Sequence, residues 1–226
     1  SSLYFDGTGD LVAPTADSSN FAFGGDFTIE MFVRPNDVTN PRYIFDGRPS
    51  GGNGAYPTIY VNAGNLYFYV QSANRITATA PPINTWSHIA VCRASGTTRM
   101  FVGGVEVGSS YSDANSYLPS AGRPFVGANR DAGSAYDGYM DEIRISRYAR
   151  YTSNFTPPTA PHPDPPAIKL PTAVANSNRY TVCCVGPQSV LLSNGQGQTI
   201  NGGTTAVIEQ DESVDSVSTG AVWRLV

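Results

Sequence analysis

Tyr139-Met140-Asp141-Glu142-Ile143-Arg144-Ile145-Ser146-Arg147 decides how the first two-thirds of this chain is read. The run alternates. Successive side chains of a strand point to opposite sides, so Met140, Glu142, Arg144 and Ser146 share one face, and Tyr139, Asp141, Ile143 and Ile145 share the other. The odd member is Asp141, a carboxylate on the isoleucine side. A carboxylate on an apolar face has to be ion-paired, hydrogen-bonded or metal-bound. The opening segment, Leu3-Tyr4-Phe5-Asp6-Gly7-Thr8-Gly9-Asp10, offers a second strand with its own inward aspartate. The two segments are expected to meet in space.

Composition agrees with a strand-built chain. Its 226 residues suffice for one large β-domain or two smaller ones. Charged residues are 14% of the chain, against ~25% in ordinary globular proteins. Gly (23) and Pro (17) are plentiful, so turns are many and the surface leans on Ser, Thr, Asn and Gly. A net charge of -4, with Lys169 as the sole lysine, excludes the basic patch that nucleic-acid binding needs. No run of ~20 apolar residues offers a helical membrane span, so no membrane insertion is expected. No charged-then-apolar leader precedes Ser1-Ser2, and the chain does not start with Met; a fragment of a longer protein is expected. Three cysteines make a poor disulfide framework. Cys92, inside an apolar run, reads as a buried free thiol. Cys183 and Cys184, adjacent in a strand, point apart and do not bridge each other.

Leu3 to Val12 is expected to hold a strand, a Gly-Thr-Gly bend and a return, and strands are expected at Asp26 to Val33, Arg42 to Asp46, Thr58 to Val61, Leu66 to Val70 and Arg75 to Ala80, then at Asn84 to Arg93, Thr98 to Val102, Val105 to Val107 and Pro124 to Gly127. Phe27, Ile29, Met31 and Val33 form a core face. Asn62-Ala63-Gly64-Asn65 and Gly103-Gly104 are hairpin turns. Gly47 to Gly54, Ser109 to Gly122 and Ala128 to Gly138 are read as loops. Trp86 and Trp223 are assigned to the core. Residues 157–167 form a stiff, proline-rich linker in which His162 is a solvated residue. Residues 168–226 hold further short strands, at Arg179 to Val185, Ser189 to Ser193, Thr205 to Glu209, Ser213 to Val217 and Ala221 to Val226. A unit this small buries little surface alone, and oligomerisation is the usual remedy.

Four blocks carry a resemblance: Leu3 to Asp10, Asp26-Phe27-Thr28-Ile29-Glu30, Trp86-Ser87-His88-Ile89-Ala90, and Gly138 to Ser146. In order and spacing they resemble the laminin G-like branch of the concanavalin A-like lectins, over about residues 1 to 157. The resemblance implies an all-β, antiparallel jelly-roll sandwich across residues 1–156. The tail Arg147 to Pro158 looks like the version in bacteriophage structural proteins. The unit at residues 168–226 is similar to small β-domains near the ends of phage tail fibres. It shares Ile168-Lys169-Leu170-Pro171, Tyr180-Thr181-Val182, Thr199-Ile200-Asn201-Gly202, Glu212-Ser213-Val214 and Trp223-Arg224, but has Asn201 for the common Asp and Cys183-Cys184 for the usual Lys-Asn. Fibres carrying such domains are trimers, so the resemblance implies a trimerising domain and a homotrimer.

Sandwiches of this superfamily often hold a structural calcium at an aspartate of the matching late strand. Carried over, that makes Asp141 a calcium ligand, with Asp6 or backbone oxygens nearby. The alternative is that Asp141 accepts hydrogen bonds from the Gly7-Thr8-Gly9 backbone. Catalysis finds no support. Asp26 and Glu30 share a strand face but lie roughly 13 Å apart by strand rise, beyond the about 5 Å and about 6.5–9.5 Å spacings of retaining and inverting glycosidases. The superfamily's Glu-x-Asp glycosidase signatures are missing, and His88 has no paired nucleophile. No enzyme is expected.

Sugars are held by aromatic faces and by amide and carboxylate side chains that pair with hydroxyls. Three loops supply these types: Tyr56; Tyr111, Asp113, Asn115 and Tyr117; and Asn129, Arg130, Asp131, Tyr136 and Asp137. As a set they are the expected glycan-binding residues. The expected function is that of a bacteriophage tail-fibre tip in the virion, a receptor-binding protein that adheres to host lipopolysaccharide or capsule without catalysis. A structural virion module, a binder of a bacterial surface protein and a glycan depolymerase are the alternatives.

Overall fold

The computed structural model describes residues 2–14, 21–118, 120–160 and the strands of the C-terminal part. The linker positions 161–166 with His162, the turn residues 194–197 and 201–203, and Cys184 lie outside the described residues. The chain divides into two compact units, Ser1–Thr159 and Ala160–Val226.

The first unit is a sandwich of two antiparallel sheets. Its strands are β1 (Leu3–Asp6), β2 (Phe27–Pro35), β3 (Arg42–Asp46), β4 (Thr58–Asn62), β5 (Asn65–Val70), β6 (Ala73–Thr79), β7 (Ser87–Ala94), β8 (Thr97–Val102), β9 (Val105–Ser112), β10 (Phe125–Val126) and β11 (Asp137–Ser146). One sheet has the order β1-β11-β2-β7-β8-β9, the other β10-β3-β4-β5-β6. The opening and late segments do meet: Leu3 pairs with Met140 and Phe5 with Gly138. Alternation sends Phe27, Ile29, Met31 and Val33 inward against Ile59, Val61, Leu66, Phe68 and Val70 of the other sheet. The segment expected as a loop from Ser109 begins as strand, because β9 continues to Ser112.

The second unit contains β12 (Ala167–Lys169), β13 (Arg179–Cys183), β14 (Val190–Ser193), β15 (Thr199–Ile200), β16 (Thr205–Ile208), β17 (Ser213–Ser218) and β18 (Val222–Leu225). They form a three-stranded sheet, β12-β14-β16, and a four-stranded sheet, β13-β17-β18-β15.

β11 departs from the simple alternation. A bulge lies between Asp141 and Arg144, with Glu142 at φ 50°. An extra residue in one strand reverses which side its later side chains face. Before the bulge Met140 is in the core; after it Ile143 and Ile145 pack against the core. Asp141 therefore does not share the inward face with the isoleucines. It lies across from Phe32 on the outer face, and its Oδ1 accepts the Glu142 N–H.

The outer face of the six-stranded sheet is itself partly covered. Ala90, Cys92 and Phe101 are buried there, with Ala149, Tyr151 and Phe155 packed over them. This is why β7 reads as an unbroken apolar run: both its faces are covered. Cys92 is a buried free thiol. The Gly103-Gly104 turn admits the covering segment, since the Phe155 N–H reaches the Gly104 carbonyl and a side chain at Gly104 would collide with Phe155.

Gly138 is the tightest point of β11, with φ 138° and no room for a Cβ beside the Arg34 carbonyl. Gly138→Ala is expected to cost about 2–4 kcal/mol through backbone strain and overpacking. Urea unfolding of the sandwich measures this, and a loss below about 0.5 kcal/mol would contradict the tight β11–β2 pairing.

Candidate functional site

The outer face of the five-stranded sheet carries a tyrosine ladder. The turn at Ala63 and Gly64, both at positive φ, pairs Asn62 with Asn65. Tyr60 then falls opposite Tyr67, and Tyr43 of β3 opposite Tyr60. The Tyr43 and Tyr60 rings stack at 5.0 Å and 14°, and Tyr60 and Tyr67 at 4.9 Å and 23°. Thr77 of β6 continues the row beyond Tyr67. A neighbouring row runs Asp46, Thr58, Tyr69, Asn74. All four tyrosines are half-buried.

Hydrogen bonds fix this face. The Tyr60 hydroxyl donates to Asn74 Oδ1 at 2.9 Å, and the Tyr69 hydroxyl to Asn53 Oδ1 at 3.3 Å. Arg48 lies 5.3 Å from the Tyr43 ring centre and 5.1 Å from that of Tyr69. Its guanidinium grips Asp46 through Nε at 2.8 Å and a second nitrogen at 2.5 Å. Burial works against the Arg48 charge, but the Asp46 carboxylate more than restores it and raises its pKa. Burial likewise raises the Tyr60 hydroxyl, which stays a neutral donor at physiological pH. Among the described aromatic rings only Tyr60 stacks on Tyr67, and Thr77 is its register partner on the other side.

Two of the predicted loops come together at one end of this face. The Arg130 N–H donates to Asp46 Oδ2 at 2.9 Å, and its guanidinium reaches the Gly52 carbonyl and Asn53. The Ser50 hydroxyl donates to Asp131 at 2.6 Å. Asn129 caps its own loop by accepting the N–H groups of Asp131 and Gly133. Tyr56 lies apart, beside a cleft bordered by Phe21, Pro57, Leu118 and Arg123.

The remaining predicted residues are placed differently, and three are corrections. Tyr117 and Tyr136 are fully buried, the latter edge-on to Phe5, so neither ring can meet a ligand. Asp113 is buried as well. It accepts the hydroxyls of Thr98 and Tyr117 at 2.7 and 2.6 Å and lies 3.6 Å from Arg93. Arg93, itself buried, donates to the carbonyls of Phe23, Gly25 and Asn115 and so ties this segment to the sandwich. Tyr111 is a β9 residue under Arg75, and the Asn115 amide reaches its hydroxyl. Asp137 takes the Asn36 amide at 2.8 Å. Trp86, assigned to the core, is 43% exposed because it lies just before β7 begins.

Asp6 and Asp141 do not come together. Asp6 lies opposite Asp137, four residues along β11 from Asp141, roughly 13 Å by strand rise. Its Oδ1 instead accepts the Thr8 N–H and hydroxyl, both at 2.7 Å. Among the described residues no group of three or more His, Cys, Asp or Glu side chains converges.

Glu30, considered above with Asp26, is wholly buried under the covering segment. It accepts Arg144 at 2.7 Å, the Tyr151 hydroxyl at 2.7 Å and His88 Nε2 at 3.2 Å, with Arg150 at 3.4 Å. Asp26 meanwhile accepts the Ser95 N–H. Glu30 has no solvent face from which to act on a substrate.

Residues 6–153 match the laminin G family described as the concanavalin A-like lectin/glucanases superfamily, and the chain belongs to it. Solved structures of similar architecture include domains LG4-5 of the mouse laminin alpha1 chain, at 16% identity and TM-score 0.47, covering 72% of this chain and 47% of that one. The heptameric SAP-like pentraxin of Limulus polyphemus gives 16% and 0.45, covering 63% and 77%. A Bacteroides ovatus protein ascribed carbohydrate binding gives 16% and 0.46, covering 66% and 42%. The chain thus spans less than half of the laminin and Bacteroides chains. No curated protein matches it in sequence. Among the described residues no helix is long and apolar enough to cross a membrane.

The Glu30 site has a pH signature. Burial pushes its carboxyl up, but the bonds from His88, Arg144 and Tyr151 outweigh this and hold its pKa at about 2 against 4.5 unperturbed. A depressed folded-state value stabilises above pH 4.5, and the gain is lost as pH falls toward 2; here it is worth about 3 kcal/mol. Thermal melts between pH 7 and pH 3 are expected to fall more steeply in the wild type than in Glu30→Gln. Parallel profiles would contradict the network.

Proposed function

We propose that this chain is a non-catalytic glycan-binding adhesin that forms the receptor-binding tip of a bacteriophage tail fibre. Its target is a host surface polysaccharide, lipopolysaccharide or capsule. The observation that carries the proposal is the tyrosine ladder of the five-stranded sheet, framed by Arg48, Asn53 and Asn74. Sugars pack against aromatic rings while their hydroxyls pair with amides and phenols, and this sheet surface holds a self-stacked row of tyrosines beside both kinds of polar group in a fixed arrangement. The contact moves from the loops to the sheet, with the Ser50–Asn53 and Asn129–Asp131 loops as its rim.

The fibre context is supported by the likeness of residues 147–158 and 168–226 to phage fibre segments. A trimer held by the C-terminal unit would set three ladders around one axis, so weak single sites gain avidity. A non-catalytic role is supported by the burial of Glu30, which removes the carboxylate nearest to a glycosidase role.

The test is binding of the whole chain to an array of bacterial polysaccharides. Tyr67→Ala is expected to weaken binding to the best glycan at least tenfold, a loss of about 1.4 kcal/mol, with an unchanged melting temperature. Polysaccharide chain length should be unchanged after incubation, and light scattering should give the mass of three chains. Full binding by Tyr67→Ala would remove the ladder from the site. Shortened polysaccharide would make the protein a depolymerase, and binding to a surface protein alone would replace the glycan with a protein receptor.

A further inference from the structure

A second aromatic assembly stands on the opposite sheet and belongs to neither the ladder nor the core. Tyr4 of β1, Tyr139 of β11 and Arg34 of β2 are register partners, and Trp86, just before β7, extends the row. Tyr4 and Tyr139 lie 4.8 Å apart at 40°, and Trp86 and Tyr139 lie 6.4 Å apart at 57°. The rings are splayed rather than stacked face to face. Tyr4 is 56% exposed and Trp86 43%. This end of the outer face lies beyond the residues that Ala149, Tyr151 and Phe155 cover.

Polar groups bracket the row. Asp6 and Asp137 are register partners one step along from Tyr4 and Tyr139 on the same face, and Asp141 stands on the other side. Arg34 lies 5.2 Å from the Tyr139 ring centre, and its Nε donates to the Asn84 carbonyl at 3.1 Å. Asp6, Asp137 and Asp141 stand against Arg34 and, beside Gly7 and Asp137, Arg42, an acidic balance that disfavours a uronate, sialate or phosphorylated sugar. The carboxylates suit a hydroxyl-rich, uncharged one, since an ionised carboxylate only accepts hydrogen bonds and a sugar hydroxyl donates them. Open aromatic faces suit the apolar face of a pyranose ring.

We infer that Trp86, Tyr139 and Tyr4 form a second saccharide site, on the face opposite the tyrosine ladder, selective for uncharged pyranose chains. Each sandwich would then grip glycan on both sheets, doubling the contacts available to an assembly of several chains. The inference extends the glycan-binding reading to a new face, and the two sites are separable by mutation.

Trp86 is one of two tryptophans in the chain, the other being Trp223 in the C-terminal unit, so in a Trp223→Phe background the fluorescence reports on this site. The whole chain would be titrated with maltohexaose, cellohexaose, laminarihexaose and mannohexaose, with hexagalacturonate as the anionic comparison. The expected result is an emission shift with at least one neutral hexaose and none with hexagalacturonate. In calorimetry with the same sugar, Trp86→Ala should weaken binding at least tenfold, while a Tyr67→Ala variant should keep this site. No shift with any neutral hexaose, or a shift with hexagalacturonate alone, overturns the inference. So does binding that survives Trp86→Ala but is lost in Tyr67→Ala, which leaves the ladder as the site; normal binding in both variants removes both sites. A Trp86→Ala variant that binds sugar normally but loses self-association in light scattering would assign the row to a protein interface instead.

Discussion

The buried carboxylate of Glu30 ties together three separate parts of this sandwich. It stands near the middle of the six-stranded sheet, on the face turned away from the main core. A charge there is tolerated only if it is neutralised and its oxygens are satisfied. The partners come from three places: His88 from the adjacent strand, Arg144 from β11, and Arg150 and Tyr151 from the segment after β11. The bulge in β11 serves both sides of this arrangement. It keeps Ile143 and Ile145 in the core while placing Arg144 directly across from Glu30. The last turn of the domain is thereby fastened over the sheet, where the Tyr151 and Phe155 rings stack at 3.5 Å above Phe101.

That covering sorts the outer surfaces. The middle of the outer face of the six-stranded sheet becomes a small second core, and the row at Tyr4, Tyr139 and Trp86 stays open beyond it. The five-stranded sheet keeps its tyrosine ladder as its outer face. The two aromatic assemblies differ physically. The ladder is self-stacked and pinned by Asp46, Arg48, Asn53 and Asn74, so little side-chain freedom remains to be lost on binding. The other row is splayed and exposed, and its rings gain more contact from a ligand.

Much of the fold is legible in the sequence. The inward set Phe27, Ile29, Met31 and Val33 follows from period two, and the meeting of Leu3–Asp6 with Gly138–Met140 from their matching patterns. The bulge is not legible. Tyr139 to Ser146 alternates without a break, and nothing in the residue types announces that Glu142 adopts positive φ. That one hidden residue moved Asp141 from the inner face to the outer one. The site hides in the sequence for a related reason. Tyr111, Asp113, Asn115 and Tyr117 look like loop recognition residues, but a buried arginine, Arg93, draws that segment into the sandwich. The ladder did have a signal. The turn at 62–65 fixes Tyr60 opposite Tyr67, and both fall on the non-core side of strands whose inward residues are plain. Trp86 lies one residue outside β7, and an aromatic at the mouth of a strand escapes the cover that buries the strand's middle.

The central claim is that glycan lies on the outer face of the five-stranded sheet. A crystal structure of the chain with the oligosaccharide it binds best tests this most directly. A sugar ring is expected against Tyr67, with hydroxyls bonded to the amides or phenols of Asn53, Asn74, Tyr60 or Tyr69. A sugar held instead in the cleft of Phe21, Tyr56 and Leu118, with the ladder left bare, would contradict it.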